Sequence, residues 1–191
     1  MQSNKEQTHS KSSNTKMSSF ELSLDAMMLA FLVIASQIII PTPIGVPFTL
    51  QVLAVALLAY SLDMKNALLV IFSYLLLGFL GLPFFSGFTG GPAKLVSPSG
   101  GYLIGFIPML ILLNLARNHF KEKKLKAVVL SVLGLVSCHL IGVIWLSYIA
   151  HIGLIQAFVA GSLAFLLKDL VSLLLAAYLS VKLRTLLVKS L

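Results

Sequence analysis

The sequence predicts an all-α integral membrane protein with six transmembrane helices. Hydrophobic residues make up 58% of the 191 residues and charged residues 10%, the mean hydropathy is +0.99, and the apolar residues fall into long runs separated by short polar gaps. A single soluble core cannot bury so large an apolar share, whereas lipid-facing helices expose it to hydrocarbon. The net charge of +8 does not read as nucleic-acid binding. The basic residues occupy the polar gaps and form no interleaved basic and aromatic patch. Cys138 is the one cysteine, which excludes an internal disulfide, and within its apolar run it reads as packing.

Residues 1–20, rich in Ser, Asn, Lys and Gln, read as a disordered polar tail. They do not read as a signal peptide, because the apolar run that follows is long and leads straight into another. A helix needs roughly 20 apolar residues to cross a bilayer. Residues 21–191 accordingly form the membrane domain, with spans near 24–40, 48–62, 66–82, 99–117, 127–149 and 166–187. The first contains "DAMMLA", whose Ala26 and Ala30 have the small-xxx-small spacing that lets a partner helix approach closely. The second is short and follows the breaker-rich "PTPIGVP". "LDMKN" parts the second from the third, a glycine-rich stretch (83–98) the third from the fourth, and "RNHFKEKKLK" the fourth from the fifth. Residues 153–165 are apolar but carry Gly153 and Gly161, which predicts a short helix dipping back over the bundle rather than a seventh span.

Charge sets the orientation. With six spans, one side of the membrane carries Lys5, Lys11, Lys16, Lys65, Arg117, Lys121, Lys123, Lys124, Lys126, Lys182, Arg184 and Lys189, twelve of the fourteen basic residues. Lys94 lies on the other side, and Lys168 at the start of the last span. The positive-inside rule then puts both termini in the cytoplasm. Five or seven spans would split the basic clusters.

The segments left outside are rich in Pro and Gly. Non-helical backbone near membrane depth is tolerated where it is buried in protein or lines a cavity, and glycine lets backbone approach a ligand. They therefore predict the mouth of an outward-facing pocket, with Gly90, Gly91, Gly100 and Gly101 among its candidates. The alternative is a set of ordinary interhelical turns. Asp169 is the sharpest single residue. A carboxylate between "SLAFLL" and "LVSLLLAAYL" costs about 2.5–3.5 kcal/mol at the bilayer centre, so it reads as functional by default. The alternative is an interfacial cap paired with Lys168. Ser172 shares its helix face (i, i+3). Gln37 and Gln51 either hold a ligand or bond a neighbouring helix. His139 reads as a helix–helix hydrogen-bonder ahead of a ligand contact or proton carrier. Tyr102 faces pocket or interface, Trp145 and Tyr148 fit an aromatic belt, His151 reads as interfacial, and Lys94 reads as solvated, with attraction of an anionic ligand the alternative.

"VPFTLQVLAV" (46–55), "LGFLGLPFFSG" (78–87) and "SPSGGYLIGF" (97–106) together resemble the BioY family, the substrate-binding S components of energy-coupling factor (ECF) transporters for biotin. The resemblance spans about residues 24 to 187. It implies an S-component-like bundle in the bacterial plasma membrane, capture of biotin from outside, and partnership with a transmembrane coupling subunit and two cytoplasmic ATPases. It implies no cofactor and no metal. The binding residues it implies are Asp169, Gln37, Gln51, Phe48, Phe85, the four glycines, Tyr102, Ser172 and Lys168, and Ala26 and Ala30 match the family's docking motif. The family pattern Pro-Gly-Asp-x-x-Lys reads here with Lys168 at the Gly position, Asp169 kept and Ser172 at the Lys position, and Ser97 and Ser99 stand where Gly and Thr are usual.

Three alternatives frame this reading. One is a related S component for another small carboxylate, and another a structural membrane protein without a ligand. The third, an intramembrane enzyme, is disfavoured, because no H-E-x-x-H or G-x-S-x-G motif occurs and the adjacent Cys138 and His139 diverge on a helix. The chain also has no G-x-x-x-x-G-K loop, so an ATP-driven step belongs to partner chains.

Overall fold

The structure, a computed structural model, describes residues 18–43, 45–120 and 122–189. Residues 1–17 of the expected tail lie outside them. Ser18 opens the first helix with a capping box, its hydroxyl accepting from the Glu21 N–H (3.2 Å) and its own N–H donating to the Glu21 carboxylate (2.9 Å). The helices are α1 (Ser19–Gln37), α2 (Gln51–Ser61), α3 (Met64–Phe79), the short α4 (Pro92–Leu95), α5 (Gly100–Arg117), α6 (Lys124–Ala150), α7 (Leu154–Phe158) and α8 (Ala164–Lys189). Four helical stretches among the described residues are long and apolar enough to cross a membrane, and α2 and α3 are shorter apolar helices. Large apolar side chains such as Leu76, Leu140, Ile144, Leu167 and Leu174 are exposed around the outside of the bundle, as a surface facing hydrocarbon requires.

α2 is the hub. Ten of its eleven residues are buried, and it packs against α1, α3, α5 and α8. At 1.5 Å per residue it is only about 16 Å long, roughly half a hydrocarbon core. The first span, expected to reach residue 40, ends at Gln37, and the second, expected from 48, starts at Gln51. Between them Ile39–Ile40 (β1) and Phe48–Thr49 (β2) pair antiparallel, Ile39 against Thr49 and Ile40 against Phe48. Pro41 holds the residue before it extended, and β-branched isoleucines favour that conformation. The chain thus enters the bundle as a hairpin rather than as helix, and the space beyond the N-terminus of α2 is left for a cavity.

α5 and α6 form the most extensive helix pair. Their seam is lined by glycine from both sides. A side chain on Gly105 would sit 3.0 Å from the Cys138 Cα and carbonyl, and one on Gly142 would occupy the Tyr102 ring. The helices therefore approach to backbone contact, as small residues permit in membranes. At the far end, Asn114 Nδ2 donates to the carbonyls of Ala59 (2.8 Å) and Leu62 (2.9 Å), and Arg117 donates to Leu62 and Asp63. The bonds to Ala59 and Leu62 satisfy carbonyls that the end of α2 leaves free, and Arg117 also pairs with the Asp63 carboxylate.

The short helix expected over 153–165 is present only in part, and it does not fold back. α7 passes through a π-helical turn, Val159–Leu163, directly into α8, making one continuous helical stretch over Leu154–Thr185. Gly161 lies in that turn, and its carbonyl accepts the Tyr102 hydroxyl at 2.5 Å. A π turn shifts the backbone ladder by one residue, and Tyr102 on α5 supplies a bond to it.

Candidate binding cavity

A cavity with about 540 Å³ of empty space, its mouth included, lies at the N-terminal end of α2. Its apolar wall is Val46, Val52, Leu103, Phe106 and Phe165. Phe48 stacks behind Phe165 with ring centroids 4.0 Å apart. The polar wall brings together Thr49, Gln51, Ser99, Tyr102, His139, Lys168 and Asp169 from the hairpin and from α2, α5, α6 and α8.

The charged group is compact. Asp169 is 2% exposed, and its Oδ1 lies 2.5 Å from Lys168 Nζ while its Oδ2 lies 3.2 Å from His139 Nε2. Lys168 Nζ also donates to the Thr49 carbonyl at 2.8 Å. Its side chain is 26% exposed, so the cation reaches both solvent and the buried carboxylate. The divergence expected of neighbours on a helix is overcome by the flexible four-carbon stem. His139 Nδ1 lies 2.8 Å from the Ser162 hydroxyl, and the Tyr102 ring stands edge-on to the imidazole at 6.1 Å. Asp169 Oδ1 and His139 Nε2 have close charged neighbours but no aligned hydrogen bond among the described residues. A buried polar atom in that condition has capacity for a further partner.

Of the residues singled out in the sequence, Gln51, Tyr102, Lys168 and Asp169 line the cavity. Gln51 is clamped from both ends of its amide, accepting from the Thr49 hydroxyl (2.9 Å) and donating to the Tyr74 hydroxyl (2.7 Å). Gln37, Phe48, Phe85, Ser172, Gly90, Gly91, Gly100 and Gly101 are not among the residues that line the cavity. Gln37 is a clasp for the loop after α3. Its Nε2 donates to Ser36 Oγ (2.7 Å) and reaches the carbonyls of Phe84 and Phe85 (both 3.3 Å), and its Oε1 accepts from the Phe88 N–H at 2.7 Å. Phe85 is fully buried against Tyr74 and Gly78. Gly90 and Gly100 let backbone pass backbone, beside Gly81 and Leu95 respectively, and Gly101 accommodates Trp145. Trp145 Nε1 in turn donates to the Ser97 carbonyl at 3.0 Å, tying the glycine-rich loop to α6. Lys94 stands apart from the lining, half-buried on α4, and burial pulls its amine below the ordinary lysine range.

His139, read as a helix–helix hydrogen-bonder, does bond across to Ser162 of the π turn, and it also lines the cavity. Its helix carries buried Ser131, Gly134, Cys138 and Gly142 at helical spacing. That stripe marks the packed face of α6, and His139 sits at its edge. Ser162 has no comparable signal, because it reaches His139 only through the π turn. Cys138, read as packing, is buried at the cavity's edge.

The BioY family model matches residues 8–189. The chain belongs to the BioY family. It is 35% identical over 162 residues to the biotin transporter BioY2 of Lactococcus lactis subsp. cremoris (strain MG1363), covering 85% of this chain and 87% of the relative. It is 39% identical over 148 residues to the biotin transporter BioY of Thermotoga maritima (strain ATCC 43589 / DSM 3109 / JCM 10099 / NBRC 100826 / MSB8), covering 77% and 86%. Among solved structures it is similar to the S-component for biotin from an ECF-type ABC transporter, with a TM-score of 0.80 and 26% identity, covering 89% of this chain and 95% of that one. This BioY protein is therefore a multi-pass membrane protein of a transporter family, with an S-component fold.

Proposed function

We propose that this protein is the substrate-binding subunit of a vitamin uptake system and that its ligand is biotin. The observation that carries this reading is the buried carboxylate of Asp169, held between Lys168 and His139 in the wall of the cavity. An intramembrane ionisable group is expensive unless it is used. In this reading the Asp169 carboxylate accepts a ureido N–H, and Lys168 supplies the cation for the ligand's carboxylate. Phe165 and Phe106 pack against the apolar body. Six spans, α2 and α3 included, put the basic gaps and both termini in the cytoplasm. The cavity, at the opposite end, then opens outwards. Delivery inwards requires an ECF coupling subunit and two ATPases, and Ala26 and Ala30, exposed on α1, suit the coupling subunit's approach.

Ser172 favours a second reading. It stands at the position of the family lysine, outside the cavity lining, so a different small carboxylate is the alternative ligand. Calorimetry on the purified protein tests both. Tight biotin binding that is lost in Asp169→Asn supports the first. Absence of biotin binding by the well-folded parent, with heat from another small carboxylate, overturns it in favour of the second.

A further inference from the structure

We infer that His139 is a proton-binding site, filled when an anionic ligand enters the cavity, so that the protein takes up ligand and proton together. The inference rests on the reading of the cavity as the site for a small carboxylate and says what balances its charge.

The cavity wall carries two formal charges, Lys168 and Asp169, in contact at 2.5 Å, and they cancel. A carboxylate ligand adds a third charge in a site walled by apolar side chains, where uncompensated charge is poorly screened. Lys168 serves the ligand only by sharing or leaving Asp169, whose Oδ1 then loses its close cation. His139 is the group placed to answer. It is buried, with Nε2 3.2 Å from Asp169 Oδ2 and Nδ1 2.8 Å from Ser162 Oγ.

The surroundings accept both protonation states. A hydroxyl both donates and accepts. Ser162 can therefore donate to the Nδ1 of a neutral ring whose Nε2–H faces Asp169. It can equally accept from Nδ1–H when the ring is charged and both nitrogens carry protons. The titratable groups facing His139 are Tyr102 from α5, Lys168 and Asp169 from α8, and Cys138 beside it on α6. Among the charged side chains that line the cavity, only Asp169 is an anion, and it touches the imidazole. The balance is simple: one ligand anion and one proton enter, and the net charge of the site is unchanged.

Calorimetric titration of the full chain with biotin, repeated in buffers of different ionisation enthalpy, counts the protons taken up. We expect biotin binding to be accompanied by proton uptake, read as an apparent binding enthalpy that changes with the ionisation enthalpy of the buffer. Where uptake is complete, affinity falls about tenfold per pH unit as pH rises. The neutral amide of biotin should bind without uptake, and in His139→Gln, where a wall residue is altered and affinity falls, the binding that remains should carry no uptake. Biotin binding with less than about 0.1 proton throughout, equal uptake with the amide, or full uptake in His139→Gln each overturns the inference while leaving the biotin reading intact. Absence of binding by either probe overturns both. If His139→Gln does not fold, the comparison of acid with amide in the unaltered chain decides alone.

Discussion

Lys168 and Asp169 are consecutive residues of α8, yet Lys168 Nζ returns to within 2.5 Å of Asp169 Oδ1 while also bonding the Thr49 carbonyl at 2.8 Å. One cation thus joins α8 to the hairpin that stands above α2. It also occupies the partner position that a ligand anion would contest, so the pair is at once a structural tie and the charged end of the binding site.

The first prediction concerns the acid. Asp169→Asn removes a carboxylate that is 2% exposed and leaves Lys168 and His139 without it. Truncating one partner of a buried charge pair at a binding site costs about 2–5 kcal/mol. We expect biotin affinity to fall by about 30-fold or more, read by calorimetry beside circular dichroism to confirm the helical fold. Affinity within a factor of about three of the parent would remove Asp169 from the site.

The second separates the cation from the acid. Lys168→Met keeps the apolar stem and deletes the charge. Biotin should bind at least about tenfold more weakly, while the neutral biotin amide should lose much less, because only the acid carries the charge that Lys168 meets. Equal losses for acid and amide would make the tie to Thr49, not the ligand contact, the role of Lys168.

The third concerns the clasp. Gln37 bonds Ser36, Phe84, Phe85 and Phe88 but does not line the cavity. Gln37→Ala should lower stability by about 1–2 kcal/mol and speed hydrogen exchange at the Phe88 amide. Biotin affinity should fall far less than in Asp169→Asn. A loss as large as that of Asp169→Asn would place Gln37 in direct contact with the ligand.

The fold was legible in the sequence wherever hydrophobicity alone decides. The fourth and fifth spans, expected over 99–117 and 127–149, are α5 and α6 within a few residues. Hydropathy misjudged the gap between the first two spans, because apolar Ile38–Ile40 continue the run while their backbone leaves the helix. It also could not see that α7 joins α8, since a π turn has no composition of its own. At the site, Asp169 stood out because a lone acid in an apolar helix is costly. The glycines of the 90–101 loop stood out for close backbone approach; at Gly90 and Gly100 the structure shows backbone crossing backbone, which a sequence cannot distinguish from backbone approaching a ligand. The hydrogen bond of His139 to a neighbouring helix was legible, but its place in the cavity wall was not, because its partners come from α8 and the π turn, distant in the chain from α6.

The fourth prediction tests the seam that holds the site together. Gly142 faces the Tyr102 ring across the α5–α6 contact, and a Cβ there would overlap the ring. Tyr102 in turn bonds the Gly161 carbonyl of the π turn at 2.5 Å and lines the cavity. Gly142→Ala must therefore displace either the helix or the tyrosine. Overpacking of this kind costs about 1–3 kcal/mol, which should appear as a lower midpoint of thermal unfolding in detergent. Removing the ring relieves the overlap, so Tyr102→Ala combined with Gly142→Ala should destabilise less than the sum of the single changes, the signature of two residues in contact. Additive losses would mean that the helices shift apart as rigid bodies, and that the tyrosine is not what fixes the spacing of α5 and α6.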